Sequence, residues 1–203
     1  MTDWQRLSAE SRVDIRPYRL ALSPQSRARI KRQRPCCIWL TGLSGAGKST
    51  LANELEMQLN GRGLHTFLLD GDNVRDGLCR DLCMSPQSRK ENVRRMAEVA
   101  KLMVDAGLIV IVSAISPFRA DREAARALFA PGQFHCAYIS TSFAACARRD
   151  PKGLYRAALD GRLRHFTGLD SPYEAPLDAD CEIDTEQLDI PTATARLLRL
   201  VLP

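Results

Sequence analysis

Long apolar runs are absent from this sequence. No stretch approaches the roughly 18 to 20 apolar residues that a membrane-spanning helix needs. The first residues, MTDWQRLSAESR, also lack the apolar segment of a secretion signal. We therefore expect a cytoplasmic protein with no membrane partner.

Cysteine motifs of metal sites are absent as well. The chain has seven cysteines, and it contains neither a Cys-x-x-Cys pair nor histidines at zinc-finger spacing. This pattern argues against a zinc finger or a paired disulfide framework and predicts reduced, mostly buried thiols. The cysteines are Cys36, Cys37, Cys79, Cys83, Cys136, Cys146 and Cys181.

A strong excess of charge is also lacking. The formal net charge is +5, spread along a chain of 203 residues that is 45% hydrophobic and 26% charged. Such a composition is typical of one globular domain. The mild positive charge favours a small anionic ligand, such as a nucleotide, and we expect no nucleic-acid partner.

The hydrophobic pattern predicts alternating strands and helices. Residues 1–34 are polar and basic and are interpreted as an N-terminal extension with one short helix, before a domain over residues 35–203. Within that domain the strand candidates are CCIWLT, HTFLLD, LIVIVSAI, FHCAYI and CEID, separated by helical patterns. This alternation predicts an α/β fold whose parallel sheet carries helices on both faces.

One stretch interrupts this pattern. Residues 150–176 read DPKGLYRAALDGRLRHFTGLDSPYEAP, which is rich in basic residues, glycine and proline and lacks core periodicity. A segment of this length inside a compact domain is usually functional. We expect a mobile lid over about residues 148–176.

The clearest motif is GLSGAGKST, which lies after a predicted strand and before a predicted helix. It matches the phosphate-binding P-loop, in which backbone N–H groups cradle phosphates. Lys48 would reach the outer phosphates, and Ser49 would ligate Mg²⁺. The predicted ATP-binding residues are Gly42, Leu43, Ser44, Gly45, Ala46, Gly47, Lys48, Ser49 and Thr50.

Other motifs narrow the class of P-loop protein. There is no NKxD guanine motif, and LIVIVSAIS ends in serine where many ATPases have Asp-Glu. A small-molecule kinase is therefore favoured, with Asp70 and Asp72 as candidates to organise metal and acceptor. The two aspartates would point the same way if strand geometry continued through them. The alternative is a polar turn.

Basic residues follow these acids. Arg75 lies next to them, and SRKENVRR places Arg89, Asn92 and Arg95 at three-residue spacing on one helical face. Periodicity alone leaves open whether this face binds an anion or is simply solvated.

Six motifs together resemble the adenylyl-sulfate kinase (APS kinase) family. They are GLSGAGKST, LDGDNVR, SRKENVRR, AGLIVIVSAISPFRADR, RDPKGLY and FTGLDSPYEAP, between about Pro35 and Asp184. The resemblance implies a P-loop NTPase fold and transfer of the ATP γ-phosphate, with Mg²⁺, to the 3′-hydroxyl of adenosine 5′-phosphosulfate (APS), giving PAPS and ADP. It also implies a homodimer, and a separate ATP sulfurylase as a functional partner.

The resemblance further implies roles for individual residues. Asp72 would be the base or the group that orients the acceptor hydroxyl, with Asp70 supporting metal or water. Ser116 would match a serine described as phosphorylated in bacterial members. Physically, direct in-line transfer is preferred, with Ser116 in a Ser-Pro turn that contacts substrate through its backbone. The remaining implied contacts are Arg75, Arg89, Asn92, Lys152 and Phe166 with APS, and Arg149 with ATP.

The sequence departs from the family where Cys83-Met84 replaces Gly-Phe. That phenylalanine is half of the aromatic clamp on the APS adenine, so we expect Met84 to contact the adenine more weakly. Asp76 replaces the family's usual histidine. Two alternatives stay open: a diverged kinase for another nucleotide or sugar hydroxyl, and a nucleotide-binding protein without turnover.

Overall fold

The described residues form a five-stranded parallel sheet. The computed structural model describes Arg16 and residues 18–202. The strands are β1 (Cys37–Thr41), β2 (Thr66–Asp70), β3 (Ile109–Ser113), β4 (Phe134–Ile139) and β5 (Cys181–Ile183), in the spatial order β2-β3-β1-β4-β5.

Helices connect these strands. They are α1 (Pro24–Lys31), α2 (Lys48–Asn60), α3 (Gly71–Asp76), α4 (Pro86–Asp105), α5 (Arg119–Arg126), α6 (Phe143–Arg149), α7 (Leu154–Leu159) and α8 (Ile190–Leu198). Within the described chain, no helix is both long and apolar enough to cross a membrane.

The sheet separates two hydrophobic cores. Along β1, Ile38 and Leu40 point into the core that contains α2 and α8, whereas Cys37 and Trp39 point into the core that contains α4 and α5. The strand is buried at every position because both of its faces are covered. The predicted α/β fold with helices on both faces is confirmed.

The parallel arrangement positions the site. The carboxyl ends of β1, β2 and β3 lie side by side, since Leu40 and Asp70 both pair with Ser113. In open parallel sheets this edge is where ligands bind. The P-loop, the acidic segment after β2 and the turn after β3 therefore start from adjacent points.

The short helix of the N-terminal extension is confirmed as α1. Its N-cap Ser23 accepts a hydrogen bond from Ser26 N–H. Gln33, just after the helix, donates to the carbonyls of His65 and Gly107 at 2.9 Å each, which attaches this region to the domain. The earlier part of the extension, residues 1–15, lies outside the described residues.

Candidate active site

The P-loop backbone requires its glycines. Gly42, Gly45 and Gly47 have φ angles of +148°, +74° and +102°, which side chains disfavour. At Gly42 a Cβ atom would also lie 2.5 Å from the carbonyl oxygen of Ile139. The loop ends at Gly47, the N-cap of α2, so the positive end of that helix faces the bend.

Lys48 lies inside this loop. Its side chain is buried, and Nζ donates to the carbonyl of Leu43 at 2.7 Å. Burial lowers the pKa of Lys48 to about 8, because desolvation disfavours the ammonium form. An anion held at the loop would favour that charged form, as expected of a phosphate-binding lysine.

Two threonines stabilise the P-loop through hydrogen bonds to its backbone. Thr141 and Thr185 both donate to the carbonyl of Ala46, at 3.1 and 3.0 Å, and their hydroxyls lie 2.7 Å apart. Arg149 donates to the Thr185 hydroxyl at 2.7 Å and to its carbonyl at 2.9 Å. Arg149, which is predicted to contact ATP, is therefore hydrogen-bonded to Thr185, and Thr185 also stabilises the P-loop.

Oxygen ligands suited to Mg²⁺ lie beside the loop. Ser49 Oγ donates to Asp70 Oδ2 at 2.7 Å and lies 3.2 Å from Ser113 Oγ. A hydroxyl and a carboxylate fit Mg²⁺, which takes one or two protein oxygens and completes its shell with water and substrate phosphates. Asp70 at the end of β2 thus reaches the P-loop serine from a neighbouring strand.

The condition under which Asp70 and Asp72 would point the same way, a strand that continues through them, is not met. The strand ends at Asp70, which caps α3 by accepting a hydrogen bond from Asp72 N–H at 3.0 Å. Asp72 therefore lies in the first turn of α3 and forms an ion pair with Lys152 of the lid segment. Its side chain is 68% exposed, so it is open to an incoming substrate.

The predicted APS residues on α4 are partly buried. Arg89 donates to the Thr167 hydroxyl and the His165 carbonyl, and burial lowers its pKa. Asn92 is 5% exposed, and its Oδ1 has no hydrogen-bond partner among the described residues. A buried carbonyl oxygen of this kind fits a hydrogen bond from a bound substrate. The alternative of a fully solvated helix face is wrong for Asn92.

Arg95 does not share this role. It forms a bidentate ion pair with Asp81, at 2.6 and 2.8 Å, and a further bond with Glu91 at 2.9 Å. Its guanidinium is thus committed to protein carboxylates.

Phe166 lies in an aromatic cluster with Tyr155 and Phe143, for which the sequence patterns indicated no role. Its ring meets Tyr155 edge-on at 4.8 Å, and Tyr155 meets Phe143 at 5.3 Å. The Tyr155 hydroxyl donates to the carbonyl of Ser44 in the P-loop at 2.8 Å. The lid segment is therefore not structureless: α7 within it packs onto the phosphate loop.

A cavity of about 470 Å³ opens between the P-loop and this segment. Leu43, Phe143 and residues 168–173 line it. Its volume is typical of a small-molecule site.

The diverged residues lie at the rim of the site. Met84 is half exposed, and its carbonyl accepts Arg89 Nε at 3.0 Å. Cys83 is exposed, and hydrogen bonds with Ser85 and Ser88 lower its pKa to about 7. Arg75 reaches the Cys83 carbonyl at 3.4 Å. The loop that carries the substitutions is thus in contact with both predicted APS arginines.

Ser116 is a buried residue of the turn after β3. Its hydroxyl accepts Trp39 Nε1–H at 3.0 Å and lies 3.0 Å from the Thr41 hydroxyl. These contacts occupy the hydroxyl within the protein. They favour the interpretation of Ser116 as a turn residue over a phosphate carrier.

Sequence reasoning missed Ser113, Tyr155, Thr141 and Thr185. The signal for Ser113 was its place as the last residue of a buried strand, where a metal-site residue is expected. Thr141 and Thr185 had no motif, and Tyr155 ends the motif RDPKGLY, which implied no role for it. Their roles follow from packing between segments distant in the chain.

Comparison with known proteins agrees with this geometry. A family model described as adenylylsulphate kinase matches residues 34–184. The chain belongs to the adenylylsulphate kinase family. The match covers the P-loop, the acidic segment, the arginine-bearing helix and the lid.

Individual relatives support the family assignment. The adenylyl-sulfate kinase of Shewanella oneidensis is 56% identical over 173 residues, covering 85% of this chain and 84% of the relative. That of Vibrio cholerae is 52% identical over 182 residues, covering 90% and 85%. The structure of the Mycobacterium tuberculosis APS kinase in complex with AMPPNP and APS is 41% identical, with a TM-score of 0.79, and the alignment covers 83% of this chain and 98% of that one.

Proposed function

We propose that this protein is an ATP-dependent phosphotransferase that phosphorylates the 3′-hydroxyl of APS and releases PAPS and ADP. One observation carries the proposal beyond family membership. The segment from Asp70 to Asp72 contacts the P-loop serine at one end and the lid lysine at the other. It thus bridges the ATP side and the acceptor side of the site.

On the ATP side, the P-loop N–H groups and Lys48 bind the phosphates. Ser49 and Asp70 would hold Mg²⁺, which when bound neutralises charge between the β- and γ-phosphates. Arg149, which donates to the Thr185 hydroxyl, would contact ATP. Thr50 follows Ser49 in the first turn of α2 and completes the predicted loop contacts.

On the acceptor side, Asp72 accepts the proton of the 3′-hydroxyl as that oxygen attacks the γ-phosphorus. Lys152 pairs with Asp72 and therefore orients its carboxylate. When the lid segment closes on substrate, Lys152 brings positive charge to the phosphoryl group that is transferred, and the closed lid excludes water.

The remaining site residues recognise APS. Arg75 and Arg89 bind the phosphosulfate, because bidentate guanidinium donors match anionic oxygens. Asn92 offers its unpaired Oδ1 to a donor on the adenosine, and Phe166 and Met84 contact the adenine. Phosphoryl transfer is direct, since an aligned hydroxyl needs no relay through Ser116.

The cellular setting is proposed on other grounds. All seven cysteines are free thiols, which suits the reducing cytoplasm. A homodimer and functional coupling to a separate ATP sulfurylase are proposed from the family resemblance. Light scattering of the purified protein tests the dimer.

A coupled assay for ADP tests the activity. With ATP, Mg²⁺ and APS we expect APS-dependent ADP release and one PAPS per ADP. A 3′-deoxy analogue of APS is the matched control, because it binds similarly but lacks the acceptor oxygen. If folded protein released ADP only with another nucleotide or a sugar, the diverged-acceptor alternative would replace this proposal. If it released none, the chain would be a nucleotide-binding protein.

A further inference from the structure

Arg122 on α5 is a buried cation with no part in the proposed chemistry. Its side chain is 5% exposed, and it lies outside the P-loop, the acidic segment and the lid. Nη1 donates to the carbonyl of Ser116 and Nη2 to the carbonyl of Glu174, each at 2.5 Å. Burying a guanidinium is unfavourable unless its donors are satisfied, so these two bonds are important to the local structure.

The first of these bonds holds a strained turn. Ser116 has a φ angle of +40°, which is uncommon for a residue with a side chain. Such a conformation persists only where the surroundings impose it. Here Trp39 and Thr41 fix the hydroxyl of Ser116, while Arg122 fixes its carbonyl.

The second bond holds the C-terminal end of the lid segment, at Glu174. Glu174 N–H donates to the carbonyl of Pro117 at 2.8 Å, and the Tyr173 hydroxyl lies 3.0 Å from that of Thr41. The guanidinium carbon of Arg122 lies 5.8 Å from the centre of the Tyr173 ring, within cation–π range. Tyr173 and Glu174 are thereby held at the Ser116 turn by these direct bonds and by the Arg122 guanidinium.

The same segment is held at its other end by a predicted APS residue. Arg89 contacts His165 and Thr167, on either side of Phe166. Arginines therefore fix both ends of residues 165–174: Arg89 at one end, and Arg122 at the other, where the backbone N–H of Arg119 also donates to the Glu174 carboxylate. Of these side chains, that of Arg122 is enclosed.

We propose that Arg122 is a positioning residue for the acceptor substrate. By joining the Ser116 turn to the Tyr173–Glu174 end, it sets where residues 165–174, and with them Phe166, stand relative to Arg89 and Asn92. This inference rests on the proposed function, since it concerns the APS half of that site. The ATP half is built by other contacts, from Thr141, Thr185 and Arg149.

Steady-state kinetics of Arg122→Lys and Arg122→Met test the proposal. Lysine reaches only one of the two carbonyls and methionine neither, so we expect the KM for APS to rise on the order of 10-fold for Arg122→Lys and further for Arg122→Met. The KM for ATP should stay within about 2-fold and kcat within about 3-fold, because the lost bonds do not involve the P-loop.

Arg126→Met is the matched control. Arg126 lies on the same helix, donates to Asp180 at 2.9 Å and packs on the Phe134 ring, but it does not contact the Ser116 turn. Both KM values should stay within about 2-fold of wild type. Tyr173→Phe is a milder test: it removes the bond to Thr41, and we expect a smaller rise in the KM for APS alone.

The outcomes separate the inference from the proposed function. Wild-type protein without APS-dependent turnover would refute the proposed function itself. Active wild type with Arg122 variants that raise both KM values alike, or that match Arg126→Met, would refute the positioning role. If Arg122→Met does not fold, Arg122→Lys and Tyr173→Phe decide: an unchanged KM for APS in both would refute it.

Discussion

Two carboxylates only two positions apart, Asp70 and Asp72, contact opposite sides of the site because a helix begins between them. Asp70 ends β2 and binds the Ser49 hydroxyl, while Asp72 opens α3 and pairs with Lys152. Had the strand continued, both side chains would face the P-loop. The N-cap bond from Asp72 N–H to Asp70 therefore gives the two carboxylates different hydrogen-bond partners, although both lie close enough to Lys48 to interact with its charge.

Asp72→Asn tests the role of the base. The amide keeps the size of the side chain but cannot take the hydroxyl proton, so we expect kcat to fall by about 10²- to 10⁴-fold. Stability should change little because Asp72 is largely exposed. The measurement is ADP release at saturating ATP and APS. Asp76→Asn on the same helix is the control, and equal activity of the two variants would contradict the assignment.

Met84→Phe tests the altered adenine contact. Aromatic pairs add about 0.5 to 1.5 kcal/mol beyond area burial, so we expect the KM for APS to fall by about 2- to 10-fold. The KM for ATP should not change. Leu78→Phe, at a residue that is also 50% exposed, controls for a new ring on the nearby surface. An unchanged KM for APS in Met84→Phe would mean that the adenine lies elsewhere.

The site residues that could be predicted from sequence belong to motifs whose residues lie close together in the chain and have a fixed local backbone geometry. Lys48 and Ser49 follow from the P-loop, whose glycines dictate a fixed backbone bend. The end of the buried strand β3 indicated Ser113, but its contact with Ser49 could not be predicted, because that contact depends on β3 lying between β1 and β2. Arg122 could not either, since its partners Ser116 and Glu174 are 58 residues apart in the chain and meet only in the folded protein.

At the scale of whole elements, strands were easier to predict than the short helices. The buried strands are continuous apolar runs, which identified β1, β3 and β4 directly. The helices α3 and α7 are six residues each, too short to show a clear 3.6-residue period. Their stability comes from capping and from packing: Asp70 caps α3, and Tyr155 anchors α7 against the P-loop.

Tyr155→Phe tests how α7 is coupled to the P-loop. Phenylalanine keeps the edge contacts with Phe143 and Phe166 but leaves the Ser44 carbonyl without its hydrogen bond, which should cost about 1 kcal/mol of stability. We expect the KM for ATP to rise by about 5-fold with little change in that for APS. Urea unfolding and steady-state kinetics measure the two effects.

Tyr155→Leu provides the comparison for this variant. It removes the ring as well, so Phe166 loses its aromatic neighbour at 4.8 Å and the KM for APS should rise too. If Tyr155→Phe left both stability and the KM for ATP unchanged, α7 would not be coupled to the phosphate loop through this hydroxyl.

At the scale of the whole molecule, burial of titratable groups makes the fold sensitive to alkali. Burial raises the pKa of Cys36 from 9.0 to about 12 and that of Cys136 to about 11, and it raises that of Cys37 well above 9.0. The folded protein keeps these protons while the unfolded chain loses them. Their stabilisation is therefore complete below about pH 9 and is lost as the pH rises towards 11 or 12.

Lys48 acts in the opposite direction. Its pKa is lowered from 10.5 to about 8, so between these values the unfolded chain holds the extra proton and stability rises with pH. Lys48 opposes only part of the effect of the thiols, because burial also raises the pKa values of Tyr155 and Tyr173 above 10.0. We therefore expect the free energy of unfolding to fall as the pH rises above about 9.

Urea unfolding from pH 8.5 to 10.5, with a reductant present, measures this fall. Cys136→Ala should lower stability at pH 8.5, because it leaves a small cavity. It should also make the free energy of unfolding fall less steeply with pH, because one buried thiol is removed. Val110→Ala, an apolar truncation in the same core as Cys136, is the control: it should lower stability equally at every pH. Parallel slopes for the two variants would show that the buried thiols do not set the alkaline limit of this fold.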